Sequence, residues 1–367
     1  MLWGLPYTWF IAPVTIIYLL KKRIIQIKAI FLIIFFVFAE LLASIWYPEE
    51  GIINIIKYLS VIAVFFVLLY DTQADRKRCV NAFVAGLIVL CGVIVIKTLM
   101  TAPSDWLSLF VDGQYRFGMQ QVDENSDITL KVNANSLAYY SIVGITISMV
   151  GIDRFKKKYR VFAIIIMLFF VLVGVLSVSR SWMLVTVICA MLFFMGRVKN
   201  FKSAFQTLLI GSIAFLAVLY AVRFVPELRD GFVERWQSSD VSDANGRVEL
   251  FIQYHEIWVS NLKYILIGTG VTQYKQMTGV YHGLHNMLQQ LFISYGFVGT
   301  MVFLYGMFSP VVKGLKNTSL ILWIPMVAVL LFVQTIQFVY PEALMLPFVI
   351  ALYILRVDDY EALHNNG

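Results

Sequence analysis

Two short stretches of the chain carry residue types capable of chemistry. The first, "HGLHNMLQQLFISYGFVG" at 282–299, holds two of the four histidines where a polar segment passes into an apolar one. His285 begins the apolar run, Asn286 follows it, and Gln289 comes one helical turn later, within reach for orienting an imidazole. An imidazole titrating near about 6.5 can take a proton from a hydroxyl at neutral pH, which makes His285 a candidate general base. The bland alternative is a structural histidine at a helix start, and His282, in the preceding loop, is the weaker of the pair. Gly296 shares the face of His285 but lies roughly 16 Å deeper by helical rise, too far for chemistry there. Gly296 and Gly299 are expected to let a neighbouring helix approach closely.

The second stretch, "SVSRSW" at 177–182, sets Arg180 among Ser177, Ser179 and Ser181. A guanidinium flanked by hydroxyls suits a planar, bidentate anion such as phosphate. Its plainer role would be an interfacial anchor. Further arginines occur in long polar connections: Arg116 in "QYRFG", then Arg223, Arg229, Arg235 and Arg247. Acidic residues outnumber basic ones there, so most of these arginines read as solvated or paired. Arg247 is singled out because it opens the periodic run "GRVELFIQYHEIW", a predicted helix.

The elements that must position these residues follow from composition. The 367 residues are 60% hydrophobic and 14% charged, with a mean hydropathy of +0.79. Soluble domains carry roughly 45–50% apolar and about 25% charged residues, so the composition points to an all-α, polytopic membrane protein. A span needs about 20 apolar residues. Such runs occur at 3–20, 29–47, 52–70, 79–101, 135–152, 161–178, 181–196, 204–222, 285–309, 318–338 and 341–356, about eleven spans within a single integral membrane domain, 1–367.

Basic residues cluster in alternate connections: Lys21, Lys22, Arg23 and Lys28; Arg76, Lys77 and Arg78; Arg154 to Arg160; Arg197, Lys199 and Lys202; Lys313 and Lys316; Arg356. The positive-inside rule makes these cytoplasmic, with the N-terminus outside and the C-terminus inside. The net charge of +7 is therefore a topology signal and gives no support to nucleic-acid binding. The first apolar segment has its basic cluster after it, which reads as a retained helix rather than a cleaved signal. Cys79, Cys91 and Cys189 lie in apolar runs without metal or disulfide spacing and read as packing residues. Two outer connections, 102–134 and 223–284, are too long for plain turns, the second being partly helical. Function is expected on the outer face.

Three charges remain inside spans, Glu40, Lys57 and Lys97, each in the outer part of its helix. Either the lysines snorkel to the interface, or the three line a polar vestibule open to the outer side.

The stretch from His285 and Asn286 to Gly296 and Gly299, H-N-x9-G-x-x-G, resembles the hallmark of the O-antigen ligase and polymerase family. "LSVSRSWMLV" is similar to its S-x-S-R-G segment, with Ser181 where glycine is common. "NGRVELFIQYHEIWVSNLKYILIGTG" resembles its loop segment, and "YRFGM" and "NANSLAYY" its earlier loop and next helix. The likeness runs in order over about residues 40–310. Family members often have twelve spans and a cytoplasmic N-terminus, and the topology read above implies that the first is lacking here.

The resemblance implies an inverting glycosyltransferase at the outer face of the bacterial inner membrane. It moves a glycan from undecaprenyl diphosphate to a sugar hydroxyl, without metal or other cofactor. Arg180 and Arg247, with Arg116 assisting, would bind the donor diphosphate; His285 would be the base, and Asn286, Gln289 and Ser179 would support. The acceptor would be lipid A-core for a ligase, or a second lipid-linked glycan for a polymerase; the complete H-N-x9-G-x-x-G match favours ligase. No D-x-D occurs, so a metal-dependent nucleotide-sugar transferase has no support. A secondary transporter would show internal repeats and broken helices, and the sequence displays neither. A purely structural membrane partner would require neither His285 nor Arg180.

Overall fold

The computed structural model describes residues 26–46, 52–71, 75–101, 134–198, 247–271, 286–312, 319–335 and 342–356, with single positions between 220 and 233. All regular elements among them are α-helices: α1 (Ile27–Trp46), α2 (Ile52–Tyr70), α3 (Arg76–Thr101), α4 (Ala134–Arg154), α5 (Lys157–Leu176), α6 (Arg180–Arg197), α7 (Arg247–Val259), α8 (Leu262–Leu266), α9 (Met287–Val312), α10 (Leu320–Phe332) and α11 (Glu342–Leu355). Among the described residues five helices are long and apolar enough to cross a membrane: Arg76–Met100, Ala134–Arg154, Lys157–Leu176, Arg180–Arg197 and Met287–Val312. Helices α1, α2, α10 and α11 fall on four more of the expected spans, whereas 3–20 and 204–222 lie outside the described residues, Tyr220 excepted. Helices α7 and α8 occupy the long connection where periodicity predicted a helix. Helix α3 starts at Arg76 rather than 79, because Asp75 caps it: its Oδ1 accepts from the Arg78 amide at 3.1 Å.

The chain divides into two compact units, one of Met1–Cys79, Asp243–Asn317 and Val333–Gly367, the other of Val80–Ser242 and Thr318–Phe332. In the first, α1, α2, α9 and α11 surround an aromatic core. Phe36 stacks on Phe66 at 5.6 Å and meets Tyr295 and Phe303 edge-on at 4.8 and 5.7 Å. Lipid is as apolar as these side chains, so close packing rather than water exclusion must hold such helices together. Gly306 permits it, since a Cβ there would sit 2.9 Å from Leu32 and 3.1 Å from Phe66. Pro310 cannot donate to the Gly306 carbonyl one turn back, and the Tyr70 hydroxyl does so instead at 2.9 Å. Arg356 closes the same end, donating to the Pro310 carbonyl at 2.7 Å.

In the second unit α4 is the buried helix, packed on α5, α6 and α10. Gly144 lies under the Phe170 ring and Gly174 under Trp182, leaving no room for a methyl group at either position. The Ser141 hydroxyl donates to the Phe170 carbonyl at 2.6 Å and accepts from Trp182 Nε1 at 3.0 Å, joining α4, α5 and α6. On the outer side of α5, Phe162, Ile165, Leu168 and Leu172 are exposed in one stripe, the surface a bilayer would cover.

Candidate functional site

The turn between α5 and α6 presents Arg180. Ser177 closes α5 by donating to the Gly174 carbonyl at 2.6 Å. Val178 then adopts φ 47°, a left-handed conformation that a β-branched residue rarely takes and that costs about 1–3 kcal/mol. The extended Ser179 precedes α6, but its hydroxyl does not cap the helix; it lies 3.2 Å from Asn135 Oδ1 at the start of α4. Ser177, Val178 and Ser179 are all buried, and half-buried Arg180 is the first residue of α6. A cation at the positive end of a helix dipole opposes the helix, so helix stability does not explain this arginine. The anchoring of Trp182 against Gly174 and Ser141 fixes where the turn sits. Such a strained, buried turn holding a guanidinium at a helix N-terminus suits an anion.

Asn286 caps α9 in the other unit, its Oδ1 accepting from the Gln289 amide at 3.0 Å. Gln289 in turn donates through Nε2 to the Phe251 carbonyl of α7 at 2.6 Å. One turn further along both helices Tyr254 and Ile293 bury against each other, with Leu250 and Trp258 packed around them. Contacts at 251 with 289 and at 254 with 293 mean that α7 and α9 run in the same direction here. The bonded pair lies four residues after Arg247 on one helix and four after His285 in sequence on the other. Arg247 is the first residue of α7; His285, His282 and Arg116 lie outside the described residues.

Deeper in α9 the helix breaks. Gly296 has φ 60° and ψ −167°, so the Ile293 and Ser294 carbonyls turn away from the helical ladder. They accept instead from the Thr269 and Gly270 amides, at 2.9 and 2.8 Å, in the loop after α8. Gly268 and Gly270, at φ 82° and 80°, let that loop lie against the break. Gly296 receives backbone from the end of a neighbouring helix: a Cβ there would strike Leu266, the last residue of α8, and Ile267 just after it. A Cβ at Gly299 would be 2.5 Å from the Tyr295 Cβ of its own helix and 3.8 Å from the Phe35 ring of α1. One broken helix does exist, contrary to the sequence reading. Its freed carbonyls are bonded by amides of the same chain, so it does not by itself build the open ion site of a transporter.

Of the three intramembrane charges, Glu40 is fully buried and its Oε1 accepts from the Val271 amide at 2.8 Å. Lys97 is half-buried in the second unit, and the Lys57 side chain is outside the described set. Sequence reasoning missed Gln290. It is fully buried, and among the described residues neither its amide nitrogen nor its amide oxygen has a hydrogen-bond partner. The Ser294 hydroxyl, one turn deeper, is likewise buried and without one. Buried polar groups left so are rare and point to water or a ligand. The available signal was the second glutamine of "NMLQQL", since two adjacent side chains on a helix cannot face the same way.

Among curated proteins no sequence matches the chain. Residues 162–304 match the family model described as O-antigen ligase. That segment contains Arg180, Arg247, Asn286 and the break in α9, and over those residues the chain is similar to that family.

Proposed function

We propose that the protein is an O-antigen ligase: it transfers a glycan from undecaprenyl diphosphate to a sugar hydroxyl of lipid A-core at the outer face of the inner membrane. The reaction is a single displacement. The acceptor hydroxyl gives its proton to the His285 imidazole while its oxygen bonds to the anomeric carbon. The bond from that carbon to the diphosphate oxygen breaks on the opposite face, inverting the centre, and undecaprenyl diphosphate leaves with the electron pair. Arg180 and Arg247, with Arg116, bear on the growing negative charge, and fixed cations of this kind make a divalent metal unnecessary. Asn286 and Gln289 serve by holding the start of α9, and Ser179 by holding the turn before Arg180.

The observation that carries this reading is the α7–α9 pair. Gln289 ties the first turn of α9 to α7 one turn after Arg247, so one hydrogen bond governs the elements that bring in a candidate base and a candidate anion ligand. The strained turn at Val178 adds a second, separately built cation.

A deletion strain tests it against the polymerase reading. Loss of a ligase removes all O-chains from lipopolysaccharide, whereas loss of a polymerase leaves core bearing one repeat unit. The second pattern would make the acceptor another lipid-linked glycan.

A further inference from the structure

Glu40 has no part in the displacement described above, yet it is an ionisable group fully buried in an apolar helix, where a carboxylate is costly to keep. Its own helix and the loop after α8 meet at its side chain, and α9 packs close by. Its own helix, α1, packs on α9 through the Phe36–Tyr295 contact one turn away. Its Oε1 receives the Val271 amide, the residue that follows Gly270. Gly270 itself fits only because it lacks a side chain: a Cβ would be 2.8 Å from Ala43 and 3.3 Å from Glu40 Oε2. The two amides before Val271, those of Thr269 and Gly270, bond the carbonyls exposed by the break in α9. Three consecutive backbone N–H groups are thus fixed, the first two by α9 and the third by Glu40. This loop also ends the α7–α8 segment that Gln289 ties to the first turn of α9.

We infer that Glu40 is a positioning residue for glycan transfer: by holding the Val271 amide it seats the 268–271 loop in the break of α9 and so sets α7 relative to α9. This rests on the proposed function, because the groups it would align are Arg247 and His285. A misplacement of about 1 Å at a reacting centre can cost on the order of 10²-fold in rate, so a clamp outside the chemistry can matter that much.

The test uses the full-length protein in lipid nanodiscs and two substitutions. Glu40→Leu keeps the volume and removes the acceptor, and every rate is taken per folded protein so that a lower membrane yield does not enter the comparison. Glu40→Gln keeps a carbonyl-type oxygen that can still accept from Val271. Two quantities are read: hydrogen–deuterium exchange of peptides covering 266–272, and kcat and KM for the lipid-linked donor. Glu40→Leu should speed exchange at 269–271 and lower kcat about 10²-fold, with donor KM moving less than about threefold. Glu40→Gln should restore slow exchange and most of kcat. Exchange unchanged in Glu40→Leu overturns the clamp, and faster exchange with unchanged kcat overturns the positioning role. Slow exchange with lost turnover in Glu40→Gln would likewise overturn it, by making the charge rather than the hydrogen bond the essential feature. Absence of transfer by the unsubstituted protein would instead sink the ligase reading and the positioning role with it, while exchange still reports on the clamp.

Discussion

Replacing Gly296 by alanine isolates the break in α9 from every other feature of the site. At φ 60° and ψ −167° the backbone is in a region that is essentially glycine-only, and holding another residue there costs about 1–3 kcal/mol. The new Cβ would also lie 2.5 Å from the Ile267 nitrogen and the Leu266 oxygen, which are backbone atoms that cannot rotate away. The loop must withdraw, and the Thr269–Ile293 and Gly270–Ser294 hydrogen bonds go with it. At about 0.5–1.5 kcal/mol each, these bring the total to about 2–6 kcal/mol. That is a large part of a typical stability of about 5–15 kcal/mol. Gly86→Ala is the matched control: it lies in α3 with nothing within 4 Å of the added methyl group, and should be neutral or stabilising by up to about 1 kcal/mol. The assay is the thermal midpoint of each purified variant in one detergent, followed by tryptophan fluorescence. A Gly296→Ala variant as stable as Gly86→Ala would refute the loop-in-break geometry.

Arg180→Ala should abolish transfer at normal membrane yield, and Arg180→Lys should rescue it poorly because lysine lacks the bidentate fork; near-normal transfer per folded Ala variant would return Arg180 to the role of interfacial anchor. Gln290→Leu removes an unpartnered buried amide, so its thermal midpoint should rise while turnover falls by at least about tenfold; unchanged turnover would make Gln290 a packing defect of no functional weight. Addition of a chelator should leave transfer by the purified protein unchanged, and activity that vanishes and returns with Mg²⁺ would count against fixed arginines as the only charge stabilisation.

The helices were largely legible because apolar run length and period are local properties. The expected span 52–70 and the periodic run from Arg247 both become helices, α2 and α7. The break at Gly296 was not, because "ISYGFVGT" is apolar on both sides and reads as uninterrupted. What opens it is a loop whose amides, at Thr269 and Gly270, lie 24 positions before the carbonyls they bond, and such pairing leaves no periodic trace. The same holds for Glu40, whose partner Val271 is 231 residues away. Asn286 illustrates a different limit. An asparagine before an apolar run is a helix-cap signal, yet beside a histidine it invites a catalytic reading. In the structure it is a cap, and the neighbouring glutamines divide, Gln289 to α7 and Gln290 into an apolar interior.

The central claim is that His285 takes the acceptor proton in a transfer from a lipid diphosphate. The direct measurement is the single-turnover rate of the purified protein with undecaprenyl-diphosphate-linked glycan and lipid A-core, for the unsubstituted chain, His285→Ala and His282→Ala, with donor binding measured separately. General-base catalysis contributes about 10²–10⁴-fold. His285→Ala should therefore bind donor normally and lose transfer by that factor, while His282→Ala keeps substantial activity and the unsubstituted enzyme slows on the acid side as imidazole protonates. Retained turnover in His285→Ala, or equal damage from both substitutions, would contradict the account.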